Sequence, residues 1–349
     1  MAEYLLPFLL SFGLTALATP VLRDFLLARN IAVPPPRPRD LHARRLPRMG
    51  GLAIVASFSV VVGLYLVFAP DSLRFVESTI SGIDRNLLGV LLGALILVAT
   101  GYWDDRYGLS PLVKLGLQVI AALVVVAFGI RIWWITDPLG GPNISIGEWS
   151  WVLIPLWLVA MVNVMNWFDG LDGLTSGLSG IAATAIFFLA LSPVVDQPAT
   201  ALLAAIVAGA AFGFLPYNWH PSSIILGDTG SMFLGFMVGV FAIISGAKFA
   251  TAALVLGIPL LDFLWVVTRR LVTGQSLFQA DTKHLHHRFL AAGLSPRATV
   301  SVLYIVATAF ALIALNTQTE GKLAALGALV ALMVLLGIVL VVSAKRRVP

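Results

Sequence analysis

The sequence predicts an all-α polytopic membrane protein with about eleven spanning helices. Three observations carry that reading. Of 349 residues, 59% are hydrophobic and only 11% are charged, where a soluble chain carries roughly 25% charged residues. Apolar stretches long enough for ~20-residue spans recur along the whole chain. Lysine and arginine fall unevenly between the segments that separate them.

The stretches lie near 4–27, 50–69, 87–103, 112–130, 150–166, 174–191, 199–217, 230–246, 250–272, 300–316 and 322–342. The first lacks a basic leader and a small-residue cleavage site, and it is too long for a signal core, so it reads as a retained helix. There is no internal repeat and no low-complexity tail. One domain, 1–349, is the simplest description. With the N-terminus outside, fifteen Lys and Arg side chains fall inside, and five fall outside: Arg74, Arg85, Arg131, Lys248 and Lys322. The bias sets the N-terminus outside and the C-terminus in the cytoplasm. The longest outer segment, Arg131–Trp149, holds Pro138-Leu-Gly-Gly-Pro142 between short alternating runs and is expected to form a small hairpin between helices 4 and 5.

Composition also excludes. There is no cysteine, so neither disulfides nor thiolate chemistry is available. The net charge of +5 reflects basic cytoplasmic loops and implies no nucleic-acid partner.

The polar residues that remain are clustered. Asn163–Leu174 reads Asn-Val-Met-Asn-Trp-Phe-Asp-Gly-Leu-Asp-Gly-Leu. Asn163, Asn166 and Asp169 are three apart, which places them near one stripe if the helix persists. Gly170 and Gly173 permit a sharp turn or a close backbone approach to a ligand. The segment suits a divalent cation and a phosphate, bound through hard oxygen ligands. A capped, glycine-rich turn is the alternative.

Asp104-Asp105 follows the third stretch. Adjacent carboxylates repel, and a metal or a basic group is the usual remedy. Lys114, at the start of the fourth stretch, either contacts phosphate or snorkels to the interface. Asn218-Trp-His-Pro precedes Leu226-Gly-Asp-Thr-Gly-Ser231, a helix start in which Asp228 or Ser231 can cap and exposed N–H groups favour anions. Asp281-Thr-Lys-His-Leu-His-His-Arg288 holds three of the five histidines. Without cysteine or an obvious fourth ligand it is a weak zinc site. Its imidazoles, beside Lys283 and Arg288, suit a sugar diphosphate, or the patch simply meets lipid headgroups. Pro47-Arg-Met-Gly-Gly51 reads as a tight turn feeding a helix. Asp262, three residues after a helix-kinking Pro259, needs a partner such as Arg269 or a freed backbone amide, or it is functional.

All these clusters except Asp262 fall on the expected cytoplasmic side. That suits an enzyme with a soluble substrate. A transporter or lipid flippase would show polar or broken helices at the midplane, and an assembly scaffold would use the histidine loop to dock a partner.

Taken together, Pro-Arg-Met-Gly-Gly at 47–51, Asp-Asp at 104–105, Asn-x-x-Asn-x-x-Asp-Gly-x-Asp-Gly at 163–173, Gly-Asp-x-Gly-Ser at 227–231 and His-x-His-His at 284–287 resemble the polyprenyl-phosphate N-acetylhexosamine-1-phosphate transferases. The resemblance covers nearly the whole chain. The His-Leu-His-His form and the span count resemble the bacterial undecaprenyl-phosphate GlcNAc-1-phosphate transferase branch, since the peptidoglycan branch carries three consecutive histidines and ten spans.

The resemblance implies Mg2+-dependent transfer (Mn2+ as the alternative ion) from UDP-GlcNAc to undecaprenyl phosphate at the cytoplasmic face of the bacterial plasma membrane. UMP would leave, and the product would begin a cell-envelope glycan. It assigns Asp228 and Asn166 to the metal and diphosphate, Asp104 with Asp105 to the lipid phosphate, and Lys114 to phosphate. Asp169, Asp172 and Asn218 would form the nucleotide site. His284, His286, His287 and Arg288 would hold diphosphate and sugar. Ile225 stands where the peptidoglycan branch places a base-stacking aromatic. A homodimer is expected by the same analogy.

Overall fold

The computed structural model describes residues 2–34, 45–76, 78–135, 137, 141–245, 249–276, 284–317 and 319–345. The expectations that rest on Pro138, Leu139, Gly140, Lys248, Asp281 and Lys283 lie outside them.

The described chain is a bundle of helices. In order these are α1 (Ala2–Arg29), α2 (Gly51–Phe68), α3 (Arg85–Tyr107), α4 (Pro111–Ala127), α5 (Ser150–Phe168), α6 (Leu174–Ala190), α7 (Pro198–Asn218) and α8 (Gly227–Ile244). They are followed by α9 (Phe249–Val255), α10 (Gly257–Val272), α11 (Leu285–Ala291), α12 (Pro296–Asn316) and α13 (Thr319–Lys345). Eight helical stretches among the described residues are long and apolar enough to cross a membrane, and α4 and α6 are shorter apolar helices.

α8 is the centre. It packs against α2, α3, α5, α6 and α7, and nearly all of its side chains are buried. α7 is similarly enclosed, with α1 laid along it. Gly209 and Gly213 of α7 sit against the backbone of Phe8 and Phe12 in α1, where any side chain would collide. Small residues permit that close approach, so dispersion contacts rather than a hydrophobic difference hold the two helices together. The α1, α12 and α13 surfaces remain rich in exposed leucine, isoleucine and valine, as lipid-facing helices do.

The hairpin expected between helices 4 and 5 is present: β3 (Trp134–Ile135) pairs antiparallel with β4 (Ile144–Ser145). A second ribbon, β1 (Thr79–Ile80) with β2 (Ile83–Asp84), was not anticipated. Asp84 organises it. Its Oδ2 accepts the Phe75 and Val76 N–H groups at 2.9 and 2.8 Å, and its Oδ1 accepts Leu87 N–H at 3.0 Å to cap α3.

Two expectations change. α3 runs to Tyr107 rather than stopping near 103, so Asp104 and Asp105 lie in its last helical turn. The ninth stretch is two helices, broken at Leu256. Pro259 accounts for the break: it lacks the N–H that would donate to Val255 O one turn back, and its ring crowds that carbonyl. As the third residue of α10 it stands among the first four N–H positions, which have no intrahelical acceptor, so α10 itself loses no bond.

Candidate active site

The site is built on the first turn of α8. The strand-like segment before it runs beside the Pro47–Gly51 motif. Ile225 N–H donates to Pro47 O at 3.0 Å, Gly50 N–H to Ile225 O at 2.9 Å, and Gly51 N–H to Leu226 O at 2.8 Å. Gly51 lies directly on the Gly230 backbone, and Gly101 of α3 lies on Thr229. A side chain at either position would push a helix away from α8. Gly227 turns into the helix at a φ of 76°, a left-handed conformation that favours glycine.

That close approach sets the role of Asp105. Its Oδ1 accepts Asp228 N–H at 2.9 Å, and its Oδ2 accepts both Thr229 N–H at 3.0 Å and the Thr229 hydroxyl at 2.7 Å. Asp105 therefore caps α8 from α3, satisfying N–H groups that a helix start leaves open. Its oxygens face protein.

Asp104 points into a different group. Lys114 Nζ reaches Asp104 Oδ2 at 3.1 Å, Asn166 Oδ1 at 3.3 Å and, in a short contact, Asp228 Oδ2. Asn166 Nδ2 donates to Asp228 Oδ1 at 2.9 Å and to Ser231 Oγ at 3.0 Å. Asp104 Oδ1 accepts Leu109 N–H at 2.6 Å, which holds the α3–α4 turn. Four elements thus converge on one ammonium: the ends of α3 and α5 and the starts of α4 and α8. The side chains of Lys114, Asp104 and Asp228 remain 16%, 20% and 25% exposed, so the cluster opens to solvent.

The donor set has the chemistry of a divalent-cation site. Two carboxylates and an amide oxygen surround a single positive charge, which is the hard-oxygen environment Mg2+ takes, completed by phosphate and water. The residues fit such an ion. No cluster of three or more His, Asp or Glu in ligating geometry occurs among the described residues, so a cation held here would need the amide and substrate oxygens as further ligands.

The three-residue spacing of Asn163, Asn166 and Asp169 holds through the end of α5. Asn163 Nδ2 donates to Gln118 Oε1 at 2.6 Å and to Val159 O at 2.8 Å, deeper in the bundle. Asp169 stands just past the last helical residue. Burial, reinforced by the Asp228 charge, raises its pKa to about 8.

Asp172 and Asn218 face inward. Asp172 Oδ2 pairs with His220 Nδ1 at 2.7 Å and accepts Ser222 N–H at 3.1 Å. Asn218 Oδ1 accepts Gly173 N–H at 3.0 Å and Ser176 Oγ at 2.9 Å, while its Nδ2 donates to Ile224 O at 3.1 Å. These bonds brace the Asp169–Gly173 turn against the segment that enters α8. His220 was passed over in the sequence, although it stands inside the Asn-Trp-His-Pro motif. Its carbonyl also accepts Arg297 Nε at 2.8 Å.

The histidine loop closes on the same turn. His286 is buried against Gly170 and makes an edge contact with Phe168, ring centroids 5.4 Å apart. Neither of its ring nitrogens has a hydrogen-bond partner among the described residues. Burial, with the neighbouring His287 and His284, pushes its pKa well below the usual imidazole value. His284 stacks parallel to His286, centroids 5.6 Å apart, and His287 lies on its other neighbour side at 4.3 Å. His287 and Arg288 are partly exposed.

A family model described as glycosyl transferase family 4 matches residues 87–246, the stretch that holds Asp104, Asp105, Lys114, Asn166, Asp169 and Asp228. The chain is 32% identical over 323 residues to a probable undecaprenyl-phosphate N-acetylglucosaminyl 1-phosphate transferase of Bacillus subtilis, covering 90% of this chain and 85% of the relative. It is 36% identical over 307 residues to a decaprenyl-phosphate N-acetylglucosaminephosphotransferase of Mycobacterium tuberculosis, covering 80% and 74%. A phospho-N-acetylmuramoyl-pentapeptide-transferase of Moorella thermoacetica is 31% identical over 330 residues, covering 91% and 100%. With relatives above 30% identity over most of its length, the chain belongs to the polyprenyl-phosphate N-acetylhexosamine-1-phosphate transferases of glycosyl transferase family 4.

Proposed function

We infer that this protein transfers GlcNAc-1-phosphate to polyprenyl phosphate, with UDP-GlcNAc as donor and undecaprenyl phosphate as acceptor. The observation that carries the reading is the convergence of Asp104, Asn166 and Asp228 on Lys114. Two anionic substrates must meet in this reaction, and their repulsion is the first obstacle. A cluster that alternates carboxylates with a cation, partly open to solvent, answers that obstacle.

In the proposed step, an oxygen of the lipid phosphate attacks the β-phosphorus of the nucleotide sugar. The bond from that phosphorus to the bridging oxygen breaks, and UMP leaves with the electron pair. Asp104 orients the acceptor phosphate or takes its proton. Lys114 screens the approaching charges. Asp228 and Asn166 would hold a divalent cation, Mg2+ or Mn2+, which when bound supplies charge neutralisation at the diphosphate. Asp105 keeps Asp228 in place by capping α8. Asp169 borders the nucleotide side, and Asp172 and Asn218 act there through the turn they brace. His284, His286, His287 and Arg288 would hold the diphosphate and sugar, His286 from its buried position against Gly170.

The same reading places the cluster at the cytoplasmic face of a bacterial plasma membrane, in an eleven-span topology with the N-terminus outside, membrane lipid around the bundle, and a homodimer as the assembly. The positive-inside bias supports the orientation. A transporter has less support, because the acids gather at helix ends rather than midway along them.

Purified protein should release UMP from UDP-GlcNAc and undecaprenyl phosphate only when a divalent cation is added. Absence of UMP under every metal condition overturns the reading. A donor panel with UDP-GalNAc and UDP-muramoyl-pentapeptide tests the sugar.

A further inference from the structure

Asp262 lies in the second turn of α10 and is 4% exposed. A buried carboxylate is costly unless its oxygens are paired. Arg269, the partner suggested by the sequence, is seven residues on, and the guanidinium of Arg270 donates to Ser276 O at 2.8 Å. Both Asp262 oxygens go instead to the histidine loop. Oδ2 pairs with His284 Nδ1 at 2.7 Å, and Oδ1 accepts Leu285 N–H at 2.8 Å.

The pair has a chemical consequence. A carboxylate is an acceptor, so His284 Nδ1 carries the proton it shares. The hydrogen bond to one ring nitrogen decides what the other can do. Nε2 is turned away from Asp262. It accepts a hydrogen bond when the ring is neutral and donates one when the ring is charged. The ring plane is set as well. His284 lies parallel to His286, which in turn rests on Gly170 beside Asp169.

The next residue of α10 strengthens the arrangement. Phe263 packs on Trp167, centroids 4.9 Å apart, and Trp167 also meets the edge of His284 at 6.4 Å. Trp167 directly follows Asn166 of the Lys114 cluster. Consecutive side chains of α10 therefore hold the histidine loop and the end of α5 together.

We propose that Asp262 is a positioning residue for the transfer reaction, fixing the tautomer and ring plane of His284 so that its Nε2 edge serves the nucleotide-sugar donor. This rests on the reading of the histidine loop as the diphosphate and sugar contact. Asp262 itself touches neither substrate.

The test uses the full-length protein and three variants: Asp262→Asn, His284→Ala and the double substitution. Asp262→Asn should lower kcat for UMP release by roughly 10- to 100-fold, the scale seen when a metal-bound histidine loses its orienting carboxylate. Added to His284→Ala, it should cause no further loss. A full multiplicative loss in the double variant, or no loss in Asp262→Asn, overturns the proposal. If His284→Ala leaves kcat and KM unchanged, the donor reading of the loop fails, and the proposal with it. An independent readout needs no variant of Asp262. In 15N spectra of histidine-labelled wild-type protein, the His284 signal, identified by its loss in His284→Ala, should show a protonated Nδ1. A bare Nδ1 overturns the pairing whatever the kinetics.

Discussion

Asp105 Oδ2 accepts the Thr229 N–H at 3.0 Å and the Thr229 hydroxyl at 2.7 Å, so one residue of the acidic pair is spent on joining α3 to α8. Asp104 and Asp105 are adjacent in sequence and differ in task. Asp105→Ala should lower the melting temperature in detergent by removing a cap of about 1 kcal/mol, and should lower UMP release through a misplaced Asp228. Asp104→Asn, which keeps an oxygen for the Leu109 N–H, should lower UMP release with little change in melting temperature. Equal loss of stability in both variants would contradict the division.

Lys114 is the common partner of Asp104, Asn166 and Asp228. Lys114→Met leaves two carboxylates without their cation. Turnover should fall by ~10²–10³-fold, the cost of losing one well-placed electrostatic contact. Arginine at the same position should rescue poorly, because its planar fork cannot replace a compact ammonium among three acceptors. Full activity in Lys114→Met would remove this residue from the mechanism.

Asp169 has its pKa raised to about 8 by burial and by Asp228. A carboxyl whose folded pKa lies above its unfolded value keeps its stabilising contribution below the unfolded pKa, near 4, and loses it as pH rises towards 8. Ligand-free Asp169→Asn should therefore be more stable than wild type at pH 8 and equal to it near pH 4. Thermal unfolding across that range checks the sign.

His286 behaves in the opposite sense. Its folded pKa is depressed by burial, so the folded state takes up its proton later than the unfolded chain does. Stability should be full above pH 6.5 and should fall as pH drops below it. His286→Phe should flatten that acid limb, although it should also impair turnover if the loop meets the donor. A wild-type limb unchanged by the substitution would contradict the burial argument.

Gly51 touches the Gly230 backbone. Gly51→Ala forces α2 away from α8 and disturbs the segment that leads into Asp228. Both stability and UMP release should drop, and Gly63→Ala in the same helix, where a methyl group meets open space, should change neither.

Much of this was legible in the sequence because it is local. Apolar length fixes where helices can span, and a three-residue spacing fixes which of Asn163, Asn166 and Asp169 share a face. Glycine beside aspartate marks a chain turn or a helix start. Those signals placed the helices and identified the acids that gather on Lys114. Partner choice across the bundle has no such signature. Nothing in Asp104-Asp105 says which carboxylate caps α8, and nothing near Asp262 points to a histidine 22 residues later. Asn218 and Asp172 look like ligand-binding groups by type, yet their hydrogen bonds brace a turn. The amino-acid order by itself determined a helical membrane protein with a charged, glycine-rich end. Tertiary structure decided which polar atoms are consumed within the protein and which remain for substrate, because a hydrogen bond between distant segments depends on helix packing, and helix packing depends on where glycine lets two backbones touch.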